Sequence, residues 1–462
     1  MFAASTYAER RQRLKADLKT GLVLFLGNRE VGMNYSANTY HFRQDSNFLY
    51  FFGIDKPDLA AIIDIDNDRE ILFGDDISME DIVWTGPMPS MRAWAERCGA
   101  GEAMPMRRLS GMVKKARRSG QTVHFTPPYR HDNMLLLKDL LNIPVQKLKA
   151  SASEALIRAI VAQRSYKSED EIAQMEEAVD VTGIMHVAAM RGAMEGQTEA
   201  ALAGMVQGIA VSAGGNLSYP VILSVHGQIL HNHHHGNILE KGQMVLGDFG
   251  AENAMHYAGD ITRTFPVDKK FTGKQTDMYN IVLSAQEAAL AALKPGVTYM
   301  SVHRRAASVI VEGLRALELM KGDIEEAVEM GAHALFFPHG LGHMIGLDVH
   351  DMEDLGENYV GYAEGQARST QFGTAYLRLA RTLEPGFTLT VEPGLYFIPE
   401  LIDQWRRQKK FEQFINYSAL KKFRDLGGVR IEDNVLITPT GHRVLGQPIP
   451  KAIEEVLALR QR

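Results

Sequence analysis

The sequence predicts a two-domain α/β protein, with an N-terminal α/β domain over residues 1–155 and a C-terminal α+β domain over residues 160–462. The second domain is expected to carry helices on one face of a curved antiparallel sheet. Three observations predict this. A chain of 462 residues is longer than one hydrophobic core usually supports. Short apolar runs alternate with helical spacing through the first third, whereas the remainder twice repeats two helices followed by strands. Between these regions KASASEA is small and polar, and Ser168 with Glu171 then forms a capping-box pattern that starts a helix.

In the first third, GLVLFLG, NFLYFFGI and AAIIDID are short, apolar and bounded by Gly, Asp or Pro, so each reads as a strand. REILFG and QTVHF have the same character, and residues 132–141 have helical spacing. Asp45, in FRQDSNFLYFFG, reads as a loop residue capping a turn. Beyond the boundary, Ile172, Met175 and Val179 mark one apolar helix face. Helices over 168–192 and 197–212 should precede strands at 243–250 and 256–267. Helices over 276–293 and 301–319, the first closed by Lys294-Pro295-Gly296, should precede strands around 335–350, 388–397 and 428–438. Helix pairs covering one sheet face leave the concave face for polar groups.

Hydrophobic residues make up 45% and charged residues 23%, ordinary values for a soluble globular protein. Fifty basic against 56 acidic side chains give a net charge of −6. Neither nucleic acid nor an anionic membrane is expected as partner on that balance. The basic run from Lys114 to Arg118 reads as a solvated face. Cys98 is the single cysteine, which excludes an intramolecular disulfide and a thiolate metal cluster. With no signal-peptide pattern at the start and no apolar stretch of about 18 residues, the expected compartment is the cytoplasm.

Five metal-ligand candidates lie in order through the last half: Asp248, Asp260, His343, Glu392 and Glu432. They sit in VLGDFG, AGDITRTFPV, HGLGHMIGLDVHD, LTVEPGLYF and GGVRIEDNVLIT. Four carboxylates beside one imidazole raise one another's pKa values unless positive charge balances them. Two divalent ions would balance four charges and suit metal-assisted hydrolysis. Hard oxygen donors favour Mn, Co or Zn over a soft ion. Strand alternation puts Arg430 and Glu432 on one face, and hairpin spacing sets Asp248 and Asp260 side by side. His339, His343 and His350 share one glycine-rich segment, read as one ligand and two histidines that support it or touch substrate. The tract ILHNHHHGN, with His231, His233, His234 and His235, reads as a polar turn rather than a separate metal site.

YAGDITRTFPV, HGLGHMIGLDVHD, TVEPGLYF and GGVRIED, in this order, closely resemble motifs of the pita-bread metallopeptidases specific for proline, prolidase (Xaa-Pro dipeptidase) and aminopeptidase P. FRQDSNFLYFFG resembles a segment of that family's creatinase-like N-terminal domain, so the resemblance spans nearly the whole chain. It implies a dinuclear site in which Asp260 and Glu432 bridge both ions, Asp248 completes one side, and His343 with Glu392 completes the other. It implies that a hydroxide bridging two metals attacks the Xaa-Pro carbonyl carbon. Glu392 would relay the proton and His350 would donate to the carbonyl oxygen. His231 would contact substrate near the proline, with His339 and Arg430 supporting or lining the pocket.

Oxygen-rich ligation favours Mn²⁺ as the metal, whereas affinity order alone favours Zn²⁺, with Co²⁺ a further alternative; the resemblance implies a homodimer as the assembly. Arg378, in AYLRLARTLEPG, stands where prolidases carry an arginine gripping the substrate's terminal carboxylate. That favours Xaa-Pro dipeptides, with Xaa-Pro aminopeptidase action on longer peptides as the alternative. Organophosphorus ester hydrolysis, known among prolidase-like enzymes, would use the same site and is a rival reading that the sequence leaves open. Creatinase and the non-catalytic relatives predict gaps among the five ligand positions, and there are none. One departure concerns register: eleven residues separate Asp248 from Asp260, one more than the family pattern. The extra residue is expected in the hairpin loop around Asn253 to Met255, because a shifted register would turn Asp260 away.

Overall fold

The short apolar runs of the first third assemble into one mixed sheet in the computed structural model, which describes residues 1–461. Its strands are β1 (Leu22–Leu26), β2 (Ala60–Asp64), β3 (Arg69–Phe73), β4 (Glu102–Met104) and β5 (Val123–His124), in the order β4-β3-β2-β1-β5. Alternation along β1 sends Leu22 and Leu24 into a core with Ile62, Phe73, Val113 and Leu137. Phe25, on the opposite face, meets Phe51 with ring centroids 4.9 Å apart. Both faces are covered, so the strand is apolar throughout. These elements belong to a unit of Met1–Arg164 with Asp354–Tyr359.

One element of this unit differs from expectation. NFLYFFGI is a helix, Ser46–Phe52, and not a strand. Asp45 accepts from the Phe48 amide at its start, and Gly53 closes it at φ +66°. Every residue of this helix is buried. Burial all round erases the 3.6-residue periodicity, which left only a run of apolar residues to read.

The second unit comprises Ser165–Glu353 and the chain from Val360 onward. Ser168 and Glu171 form the expected capping box of the helix Glu169–Gly192, which packs against Glu199–Ser212. A second pair, Gly273–Ala292 and Tyr299–Ala316, packs likewise. Among the described residues no helix is long and apolar enough to cross a membrane.

The strands of this unit are β6 (Asn216–Leu217), β7 (Ile222–Ser224), β8 (Met244–Phe249), β9 (Ala251–Glu252), β10 (Ile261–Pro266), β11 (Thr388–Val391), β12 (Gly394–Tyr396), β13 (Gly428–Arg430), β14 (Asp433–Ile437) and β15 (His442–Val444). They form four antiparallel groups, β10-β8-β7, β11-β14-β15, β12-β13 and β6-β9, in place of one continuous ladder. Pairing breaks after Val391 and again after Arg430, where Glu392 and Glu432 leave the ladder. Side chains join the groups: Thr264 Oγ1 donates to the Arg430 carbonyl at 3.0 Å and accepts from the Arg430 amide at 3.2 Å.

Residues 335–350, expected as a strand, are instead a short 3-10 turn (Ala332–Leu335) followed by irregular chain. Met344 bridges Leu389 and is the one residue of that segment in a ladder contact. Gly342 lies so close to β11 that a Cβ there would sit 2.2 Å from the Thr390 carbonyl oxygen. The glycines that weaken a strand are what allow this approach.

Arg263 fastens β10 to the segment that carries Glu432. Its buried guanidinium donates to the carbonyls of Glu432 (2.6 Å), Pro450 (3.0 Å) and Ile449 (3.0 Å), and to Asp433 Oδ1 (2.7 Å). Replacing it by Leu leaves buried acceptors unmatched and Asp433 short of a partner, at a cost of about 3–5 kcal/mol. Urea unfolding of Arg263→Leu should show that loss; a change below about 1 kcal/mol would show the guanidinium is not a structural tie.

Candidate metal centre

Antiparallel pairing fixes the first two carboxylates. Asp248, inside β8, pairs directly with Thr262, and Asp260 immediately precedes β10. The two aspartates therefore lie side by side on one face, as hairpin spacing implied, with a diagonal offset. Glu252 faces Ala258 in the same register that sets Phe249 against Ile261. No slip occurs between the two carboxylates, and the tip from Asn253 to Tyr257 takes up the length of the loop. Asn253 Oδ1 accepts from the amides of Met255 and Tyr257 there. Gly250 makes the crossing possible, since a Cβ at that position would lie 1.9 Å from the Gly259 carbonyl oxygen.

Asp260, His343 and Glu432 come together, with one ligand atom from each within 4.8 Å of the others. All three are buried. His343 Nε2 lies 3.3 Å from Asp260 Oδ2 and 3.6 Å from Glu392 Oε1. Its Nδ1 donates to the Met344 carbonyl at 2.9 Å, which leaves Nε2 as the ligand atom. Asp248 joins through Tyr219, whose hydroxyl is 2.6 Å from Asp248 Oδ1 and 2.5 Å from Asp260 Oδ1. One hydroxyl proton serves one carboxylate at a time, so the other facing oxygen needs a proton or a cation.

The electrostatics of the cluster show the same deficit. Burial pushes Glu392 up to about 7, with His343 and Arg430 opposing it and the two aspartates reinforcing it. Burial and the charges of Asp260, Glu392 and Asp248 hold Glu432 well above the usual carboxylate range. Burial also raises Asp248, against the pull of Arg430. Asp260 alone shifts downward, because the His343 and Tyr219 contacts outweigh its burial. Glu432 accepts from Thr262 through Oε2 at 2.7 Å, while its buried Oε1 has no hydrogen-bond partner. An orphaned buried carboxylate oxygen amid oxygen donors and one imidazole nitrogen fits hard divalent cations.

Around the carboxylates, Arg430 is buried and each of its three nitrogens makes a hydrogen bond. It donates to Asp248 Oδ2 (2.5 Å), Tyr396 (2.8 Å) and Thr262 Oγ1 (3.1 Å). Tyr396 in turn meets His339 Nε2 at 2.8 Å, and His339 Nδ1 meets the Gly340 carbonyl at 2.8 Å. Burial and the Arg430 charge lower the His339 pKa to about 3, so the ring is neutral and both its nitrogens are occupied.

His350 stacks edge-on to His343, with centroids 4.3 Å apart. Its Nδ1 bonds Glu353 Oε2, and Arg378 Nε lies 3.5 Å from that same oxygen. His231 is exposed, within reach of the charges of Arg430, Asp248 and Arg378. The rest of the His-rich tract forms no metal group among the described residues; His235 bonds the Val221 carbonyl at 3.1 Å.

Tyr219, Thr262, Tyr396 and Glu353 were not singled out by sequence. Each is an ordinary polar residue in its segment, and nothing in its spacing distinguishes it.

Residues 173–439 match the model of metallopeptidase family M24, and residues 7–124 match the aminopeptidase P N-terminal domain. The chain belongs to metallopeptidase family M24. It is therefore a hydrolase of the two-domain kind, with the aminopeptidase P N-terminal domain ahead of the M24 domain. It is 30% identical to the human Xaa-Pro dipeptidase over 98% of this chain and 92% of that protein. It is 32% identical to a protein of Leptosphaeria maculans named as a probable Xaa-Pro aminopeptidase, over 91% of this chain and 72% of that one. Among solved structures, a Zn-substituted Escherichia coli aminopeptidase P in complex with product superposes with a TM-score of 0.81 at 28% identity. That match covers 100% of this chain and 98% of the other.

The raised carboxyls make stability depend on pH in a stated direction. A carboxyl whose folded pKa is raised stabilises fully below its unfolded value, about 4.3 for Glu. That contribution is lost as pH rises through the folded value, about 7 for Glu392. Protein stripped of divalent ions should melt at lower temperature at pH 8 than at pH 5.5, and added Mn²⁺ should restore it most at pH 8. A chelated protein whose melting temperature holds steady or rises over that range would contradict the charge assignment.

Proposed function

We propose that this M24 hydrolase cleaves the Xaa-Pro bond at the N-terminus of short peptides, acting as an Xaa-Pro dipeptidase. The observation carrying this reading is the meeting of five candidate ligands with His350 and Arg378 in one unit. Both peptidase names among the relatives support Xaa-Pro substrates. Asp248, Asp260, His343, Glu392 and Glu432 would hold two divalent cations. When bound, the cations supply Lewis acidity and lower the pKa of water, so that a hydroxide nucleophile is available at neutral pH.

The remaining steps belong to the chain's own groups. Glu392, whose Oε1 lies 3.6 Å from His343 Nε2, would accept the nucleophile's proton and pass it to the leaving proline nitrogen. His350 has Nδ1 committed to Glu353, so Nε2 faces substrate. Burial and the His343 charge lower the His350 pKa while the Glu353 contact opposes them, so the donor at Nε2, which would serve the carbonyl oxygen as negative charge develops there, depends on Glu353. His231 lines the proline side, while Arg430 and His339 hold the wall in place through Tyr396.

Arg378 is the group offered to a substrate carboxylate, since it is 34% exposed whereas Arg430 is 3% exposed and paired with Asp248. Its neighbour Glu353 favours a second reading, Xaa-Pro aminopeptidase action on longer peptides, because the guanidinium is part-neutralised. Manganese is the proposed metal, with cobalt and zinc as alternatives. The Escherichia coli relative is described as Zn-substituted. A homodimer and a cytoplasmic setting are proposed with it, on the family resemblance and on the single cysteine, Cys98.

His350→Ala should lower turnover of Ala-Pro by about 10²-fold with metal content unchanged; near-normal turnover would remove His350 from the reaction. Arg378→Ala should impair Ala-Pro far more than Ala-Pro-Pro. Equal loss on the two substrates would reject the dipeptidase reading.

A further inference from the structure

Glu353 is an ordinary glutamate in HDMED, yet it stands between the two groups assigned to substrate. A single oxygen, Oε2, bonds His350 Nδ1 and lies 3.5 Å from Arg378 Nε. At 3.5 Å the Arg378 contact is a loose ion pair, longer than a tight charge-assisted hydrogen bond. Side-chain exposures of 34% for His350, 41% for Glu353 and 34% for Arg378 leave all three open to an incoming molecule. The Arg430–Asp248 pair, at 3% and 11%, is closed to one.

A dipeptide ending in proline brings its own carboxylate to this place. It meets a guanidinium that already has a carboxylate partner, so the two anions compete or share at a cost in repulsion. A longer peptide brings an uncharged peptide group instead and meets no such penalty.

We propose that Glu353 sets the chain-length specificity of this site, by competing with the substrate's terminal carboxylate for Arg378 and so admitting peptides that continue beyond the proline. This rests on the reading of Arg378 as the carboxylate-binding group. The same carboxylate fixes the ring of His350, so chain-length recognition and orientation of the oxygen-binding histidine share one residue.

The experiment measures kcat and KM for Ala-Pro and Ala-Pro-Pro with the metal-loaded full-length protein. It compares wild type, Glu353→Gln, Arg378→Ala and the double variant. Glu353→Gln should raise the ratio of kcat/KM for Ala-Pro over Ala-Pro-Pro by about fivefold, the scale of an exposed ion pair. The change should lie in the KM for Ala-Pro. Loosening of His350 lowers kcat on both substrates together by about tenfold, less than outright loss of the donor, and leaves the ratio untouched. In the Arg378→Ala background, Glu353→Gln should leave the ratio unchanged. An unmoved ratio in Glu353→Gln, with Arg378→Ala still selective against Ala-Pro, overturns this proposal alone. An Arg378→Ala variant that shifts neither substrate relative to the other overturns the Arg378 reading and this proposal together.

Discussion

Four carboxylates gathered around one imidazole, nearly all of them out of water, form the constraint on which the second unit depends. Arg430 balances Asp248, and His343 balances Asp260. Glu392 and Glu432 then have no full counter-charge, and both titrate far above their ordinary range for that reason. A protein gains nothing in stability from such an arrangement by itself, since unpaired buried charge is costly. Its persistence makes sense only if something positive enters. Even the hydrogen bonds fall short at two places: Tyr219 faces two carboxylates with one proton, and Glu432 Oε1 has nothing.

Much of the surrounding chain serves to bring these groups close without adding bulk. Gly250 passes Gly259, and Gly342 passes Thr390, at distances that no side chain permits. Thr262 and Thr390 turn hydroxyls toward Glu432 and Glu392, at 2.7 and 3.3 Å. Arg263 holds the Glu432 segment from behind through its carbonyl. The breaks in the ladder fall at the two glutamates, so the sheet gives up pairing where it presents these two candidate ligands.

The grouping of Asp260, His343 and Glu432, the helix pairs and four of the five N-terminal strands were legible in the sequence, because each carries a strong local signal. Carboxylates in apolar strands stand out, and so does a capping box at Ser168. Other features had no local signal. Ser46–Phe52 is buried on every side, so its helical period vanished and the caps Asp45 and Gly53 were the remaining clue. Residues 335–350 looked strand-like through Leu341, Met344 and Ile345, yet three glycines let the chain turn around His343 instead. The diagonal offset of Asp248 and Asp260 depends on where the hairpin tip closes, which spacing alone leaves open. Tyr219 acts through partners 29 or more residues away, and Glu353 joins His350 in its own turn to the distant Arg378, and neither relation leaves a mark in composition.

The most direct measurement is the divalent-ion content of the protein purified without chelator, followed through stepwise removal and reconstitution alongside Xaa-Pro turnover. The account predicts about two ions per chain at neutral pH, with turnover falling and returning in step with them. Undiminished turnover from a chain holding no divalent ion would contradict it.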